Sequence, residues 1–156
     1  MEQHTGRKQI ASNRKAWHEY HILEKYEAGL VLQGTEAKAV REGKVTLTEG
    51  YARFLDDELY LVNIHIGAYS HSGGTGHLER RERKLLLNRR ELRKIRKATA
   101  IKGQTLIPLS LYFRRGWAKV ELAVCKGKQQ HDKRQAVADR ESKRQLARTM
   151  KAHKQA

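Results

Sequence analysis

Residues 105–125, TLIPLSLYFRRGWAKVELAVC, decide the fold. Two apolar alternating runs, TLIPLSLYF and WAKVELAVC, flank Arg114-Arg115-Gly116. Period-two alternation marks a strand with one buried face, and a short link ending in glycine folds two such strands into a hairpin. In the second run Val120, Leu122 and Val124 share a face. Lys119 therefore points outward, close to Arg114 and Arg115.

Working outward from the hairpin, further β-prone runs appear. From Trp17 the even positions Tyr20, Ile22 and Tyr26 alternate with Glu19, His21 and Lys25, predicting a strand. Glu27-Ala28-Gly29 offers a turn or bulge before a second strand, LVLQ, and puts Glu27 on the face away from Ile22 and Tyr26. GTEAKAVREG predicts a short helix opened by Thr35 and closed by Gly43. VTL, YARFL and ELYLVNIHI follow as strands, with Asp56-Asp57 turning between the last two and Tyr60, Val62, Ile64 and Ile66 on one face. A glycine-rich loop spans residues 70–77. Residues 78–98, LERRERKLLLNRRELRKIRKA, predict one helix with Leu78, Leu85, Leu92 and Ile95 on a stripe and Asn88 beside it. Leu86 and Leu87 lie roughly 100° and 200° round from Leu85, so at least one is off the buried stripe.

Strand-rich runs interrupted by two helices predict a mainly β fold: a small, partly open antiparallel barrel of the oligonucleotide-binding (OB) type with flanking α-helices. The 156 residues suffice for one such domain, at residues 17–125. Residues 1–16 read as a loose basic arm. Residues 126–156 read as a basic tail, disordered in the free chain and helical against a polyanion, because its large apolar residues, Val137, Leu146 and Met150, form no continuous stripe.

The charge names a class of partner. Net charge is +16, and the tail alone carries 10 Lys and Arg against 3 Asp and Glu. Such an excess points to RNA or DNA, and more weakly to an anionic membrane surface. No apolar run approaches the roughly 20 residues of a spanning helix. The N-terminal stretch lacks the apolar core of a signal peptide, and a single cysteine excludes a disulfide framework. A cytoplasmic protein is expected.

Enzyme motifs fail. The two histidines of HEYH, 18–21, are three apart in a segment that reads as a strand, so they diverge rather than share a metal. GGTGH before a helix lacks the Lys-Ser/Thr ending of a phosphate loop. Cys125 ends a strand without a second thiol, and no carboxylates pair as an acid/base couple. No cofactor, metal or catalytic residue is expected. What remains is a phosphate-binding surface. Residues 79–97 hold ten Lys and Arg against three Glu, an off-stripe Leu86 or Leu87 can pack on an exposed ribose or an unstacked base, and Glu27 can accept from base edges. Asp132 followed by Gln135 predicts a helix start near Lys133.

HEYHILEKYEAGLVLQGTEAKAVREGK, RKLLLNRREL, TLIPLSLYF with GWAKVELAV, and GKQQHDKR occur here in an order that resembles the small protein B family. The resemblance covers roughly residues 13–152. It implies an OB-type barrel, no catalysis, and binding of the tRNA-like domain of transfer-messenger RNA (tmRNA, or SsrA RNA). It implies delivery of that RNA to stalled bacterial ribosomes for trans-translation and ribosome rescue. The partners it implies are tmRNA, the 30S/70S ribosome through its 16S rRNA, and, indirectly through tmRNA, elongation factor Tu and alanyl-tRNA synthetase. Carried over by motif, the RNA-facing residues are Glu27, Leu86, Asn88 and Lys119, with Asn13, Arg14 and Lys15 as a further group. The residues for the decoding centre and the empty mRNA channel are His131, Asp132, Lys133, Arg134 and Met150. Leu78-Glu79 stands where the family usually has Asp-Pro. The alternative function is a resident ribosomal or general single-stranded-RNA-binding barrel protein.

Overall fold

The structure, a computed structural model, describes residues 6–71, 73 and 76–155, with the side chains of Gln130, His131 and residues 153–155 outside the description. In chain order the elements are β1 (Arg7–Ser12), α1 (Arg14–Glu19), β2 (Tyr20–Leu30), α2 (Gly34–Arg41), β3 (Val45–Thr46), β4 (Tyr51–Leu55) and β5 (Glu58–Val62). There follow β6 (His65–Ile66), β7 (Arg83–Leu86), α3 (Arg89–Thr99), β8 (Gln104–Arg114), β9 (Trp117–Gly127) and α4 (Gln130–Gln155).

The opening stretch of sequence is the hairpin β8–β9. Its link is two residues, Arg115 and Gly116, at φ +52° and +80°. Two positive φ angles in a two-residue link match the right-handed twist of the strands, which explains the glycine. Among the described residues the main sheet runs β1-β8-β4-β5-β7-β2-β9, all neighbours antiparallel. Because β8 also pairs with β9, the six strands from β8 round to β9 close into a ring of pairings, and β1 adds to the outside of β8. The ring is thinnest where Ala52 alone pairs with Leu106. The fold is thus mainly β, one large antiparallel sheet with flanking helices.

Ring closure divides the apolar residues into two cores. Tyr26, Ala28, Leu59, Leu61, Leu85, Leu106, Leu111, Val120, Leu122 and Val124 fill the main one, which Val40 of α2 and Ile95 of α3 also enter. Ile107, Leu109, Ala123 and Cys125 form a smaller one beneath Ala16 of α1. Strand β8 is therefore buried on both faces, which is why its run reads almost continuously apolar.

Several sequence expectations are corrected. Residues 1–16 are not a loose arm throughout: Arg7–Ser12 pairs with β8 from Arg7↔Arg114 to Ser12↔Ser110, because β8 offers a free edge there. Trp17 and His18 belong to α1, opened by Asn13, so the predicted strand begins only at Tyr20. The break in β2 is at Leu23, between Ile22 and Glu24, and not at Glu27-Ala28-Gly29. That bulge turns Ile22 to the small core and Tyr26 to the main one. In α2 the cap is Gln33, whose backbone N–H donates to Glu36 at 2.8 Å, and not Thr35. Asn63, at φ +61°, interrupts the run 58–66, so Leu59 and Leu61, not Tyr60 and Val62, share the core with Ile64 and Ile66.

The predicted helix over 78–98 is only half helix. Residues 83–86 are strand β7, in which Arg83 and Leu85 are buried while Leu86 is exposed. Pairing with both β5 and β2 overrides helical periodicity there. Arg83 explains the rest. Fully buried, it gives Nε to Glu36 at 2.5 Å and its other nitrogens to the carbonyls of Ile64, Leu78, Glu79 and Arg81. One guanidinium thus ties the segment before β7 to α2.

In the structure the tail is the helix α4. Its Ala, Lys, Arg, Gln, Glu and Leu are good helix formers. Its first turn is fixed locally. The Asp132 carboxylate accepts from the Gln129 N–H at 3.1 Å, and His21 Nε2 lies 3.3 Å from Asp132. Among the described residues no helix is long and apolar enough to cross a membrane.

Candidate nucleic-acid interface

Strand register assembles most of the residues expected to face RNA. Leu86 on β7 pairs with Gly29 on β2, Gly29 pairs with Lys119 on β9, and Lys119 pairs with Tyr112 on β8. One row across four strands therefore carries Leu86, Lys119 and Tyr112. Gly29 keeps the two strands close there, since a Cβ would approach Leu86 Cβ to 3.3 Å and Leu86 would have to give way slightly. Leu86 is 52% exposed and Trp117, at the hairpin end of β9, 72%. They rim a cleft of about 410 Å³ lined also by Val31, Arg41, Phe113 and Lys119. Two apolar side chains held in water beside cations suit an unstacked base and its phosphate.

Glu27 lies two residues before Gly29 on the same strand, opposite Glu121. Its carboxylate accepts from the Tyr112 hydroxyl and from Arg114 at 3.3 Å. Burial alone would raise its pKa, but the Tyr112 hydrogen bond, Arg114 and Lys119 together hold it below the usual carboxylate range. Tyr112 is itself pushed up, first by burial and then by Glu27, so its hydroxyl remains a donor. Arg7 of β1 stacks on the Tyr112 ring at 3.7 Å, held by Ser110 at 2.8 Å and Glu121 at 3.4 Å. Sequence reasoning missed Tyr112 and Arg7. The sequence suggested a three-residue link, Arg114 to Gly116, whereas the two-residue link of the structure sets Arg114↔Trp117 and hence Tyr112↔Lys119. Nothing local marked Arg7.

The other expected residues divide. Asn88 caps α3, its Oδ1 accepting from the Glu91 N–H at 2.8 Å, while the residue stays exposed beside Leu86. Asn13 is buried, caps α1 through Ala16 and donates to the Pro108 carbonyl at 3.0 Å. Arg14 and Lys15 are exposed, Lys15 paired with Glu49 at 3.0 Å. Both sit on α1, away from the row formed by Leu86, Lys119 and Tyr112. In the tail, Asp132 and Lys133 are half-buried at the start of α4, and Arg134 and Met150 are exposed along it. The side chain of His131 lies outside the described residues. Among the described residues no three metal-ligating side chains cluster.

The family model described as SmpB protein matches residues 10–152. The chain belongs to the SmpB family. It is 51% identical over 150 residues to the SsrA-binding protein of Acidothermus cellulolyticus, covering 96% of this chain and 94% of that one. The SsrA-binding protein of Thermobifida fusca is 50% identical over 146 residues, covering 94% and 91%. A solved chain from a structure described as "tmRNA-SmpB: a journey to the center of the bacterial ribosome" is 47% identical, with a TM-score of 0.66 over 81% of this chain and 93% of that one.

Proposed function

We propose that this SmpB-family chain is a non-catalytic RNA-binding adaptor of bacterial ribosome rescue. It binds the tRNA-like domain of tmRNA and delivers it to stalled ribosomes for trans-translation. Near-full-length identity of 51% to an SsrA-binding protein carries this reading. The exposed Leu86, with Lys119 and Glu27 on neighbouring strands, supports it as a surface for an unpaired RNA segment. Asn88 extends that surface, and Arg14 and Lys15 on α1 add a separate basic contact for the RNA. The second contact is the tail, residues 126–156, which enters the decoding centre and empty mRNA channel through His131, Asp132, Lys133, Arg134 and, further along, Met150. Its charge suits it to track ribosomal RNA. Elongation factor Tu and alanyl-tRNA synthetase act on the complex through tmRNA, and the whole cycle is cytoplasmic.

The test is to recover the tagged protein from its host under stringent salt and sequence the RNA that accompanies it. One dominant, partly tRNA-like species is expected. Bulk ribosomal RNA would overturn the adaptor in favour of a resident ribosomal protein.

A further inference from the structure

The Leu86 side chain is a ridge between two clefts. On one side is the cleft of Trp117 and Lys119; on the other, between α3 and the β4–β5 hairpin, is a second of about 570 Å³. We propose that this second cleft is a binding pocket for an unstacked nucleotide of an RNA strand that passes over Leu86. The proposal rests on the RNA-binding function above and adds to it a second site that the Leu86–Lys119 row does not include.

The cleft has the two chemistries a nucleotide needs. Its floor is apolar: Leu87 and Leu92 are half-buried against the main core. Phe54 lies beside them with the Arg96 guanidinium stacked 4.2 Å from its ring centre, a flat cationic surface of the kind on which bases stack. Its wall is basic. Arg89, Arg93 and Arg96 stand at positions i, i+4 and i+7 of α3, one face of a helix. Arg96 is engaged by Asp57 at 3.6 Å and Lys84 by Glu58 at 3.0 Å. Arg89 and Arg93 have no acidic partner among the described residues, so two guanidinium groups are left for phosphate oxygens, which they can grip bidentately. The volume lies in the ordinary range for small-ligand pockets, about 300–1,000 Å³.

Charge alone would also admit an acidic protein segment. The shared Leu86 ridge favours RNA, since it makes the cleft continuous with the face proposed to hold the strand. A chain crossing that ridge has nucleotides on both sides of it.

The experiment measures affinity of the full chain for the tRNA-like domain of tmRNA by fluorescence anisotropy at several salt concentrations. The variants are Arg89→Gln/Arg93→Gln and a charge-matched control, Lys8→Gln/Lys102→Gln, at exposed lysines outside both clefts. Losing two phosphate contacts should lower the slope of log affinity against log salt by about 1.4, at roughly 0.7 per contact for single strands. The control should leave the slope within about 0.3 of wild type, because long-range charge without contact releases few counterions. A second readout uses Arg93→Cys carrying an azide photocrosslinker, Cys125 being buried. Crosslinks confined to one or two unpaired nucleotides are expected. Equal slopes in the two double variants, or crosslinks spread along a duplex stem, would overturn the proposal and leave the cleft to an acidic protein partner. Failure of the wild-type chain to bind this RNA would instead overturn the function on which the proposal rests.

Discussion

The hydroxyl of Tyr112, on β8, donates to the carboxylate of Glu27, on β2, across the intervening strand β9. Neither residue's neighbours in sequence predict the bond; it exists because β2, β9 and β8 pair side by side in one register. Arg7 on the far side of the Tyr112 ring and Arg114 beside the carboxylate complete a small charged network on the surface assigned to RNA.

Tyr112→Phe should therefore weaken the fold and alter its acid response. Glu27 titrates below its unfolded value, so the folded state holds fewer protons and its carboxylate stabilises the fold above the unfolded pKa. That contribution is lost as pH falls through the depressed folded pKa. Removing the hydroxyl should cost about 1 kcal/mol at neutral pH, discounted because the carboxylate is partly in water. Urea unfolding of wild type and variant should differ at about pH 7, and the difference should shrink as pH falls through the depressed folded pKa of Glu27. A difference that persists in acid would assign the loss to packing of the phenol.

The Glu36–Arg83 pair should be intolerant of one-sided change. Both side chains are fully buried, and Arg81 also donates to Glu36. Glu36→Gln or Arg83→Met alone strands a buried charge, at a cost of about 3–5 kcal/mol. The double variant Glu36→Gln/Arg83→Met removes both buried charges and should recover part of that loss, although Arg81 loses its carboxylate and the carbonyls of Ile64, Leu78, Glu79 and Arg81 lose their donor. Denaturant midpoints of the three variants test this, and strict additivity of the single losses would refute the coupling.

Ending the chain after Gln129 should spare the body. The cut leaves β9 whole, with Gly127 paired to Tyr20 and the Lys128 N–H on the Glu19 carbonyl at 2.8 Å. It removes the His21–Asp132 pair and the contacts of α4 with α1, together worth about 1 kcal/mol, or roughly 2–4 °C in Tm. Affinity for tmRNA should persist while rescue activity on stalled ribosomes disappears. A truncated chain that unfolds would show that α4 carries part of the core.

Cys125 should be inert in the native protein. Burial pushes its thiol up to about 11, and its Sγ–H donates to the Ala123 carbonyl at 3.4 Å. Iodoacetamide at about pH 8 should label it only after urea is added, since the thiolate is the reactive form. Rapid native labelling would mean that the small core beneath α1 opens readily.

The sequence by itself determined the hairpin, because period-two alternation and a glycine at positive φ are local constraints that tolerate few alternatives. It determined the polyanion partner through net charge, and it determined the outward side of Lys119, because side chains alternate along a strand. That one of Leu86 and Leu87 is exposed was also legible, although a helical wheel was the wrong ground for it and only strand β7 decided for Leu86. Only tertiary structure decided where helix gave way to strand in 78–98. The same leucines and arginines satisfy both periods until Arg83 finds Glu36 and β7 finds two neighbouring strands. Tertiary structure alone also ordered Arg7–Ser12, whose residues show no strong pattern but cover the free edge of β8. It turned Asn13 inward as a cap and brought Tyr112 to Glu27. Each of these depends on which distant segment supplies the partner for a polar group or an unpaired strand edge. A linear sequence states the local preference of a residue; closure of the sheet selects its partner.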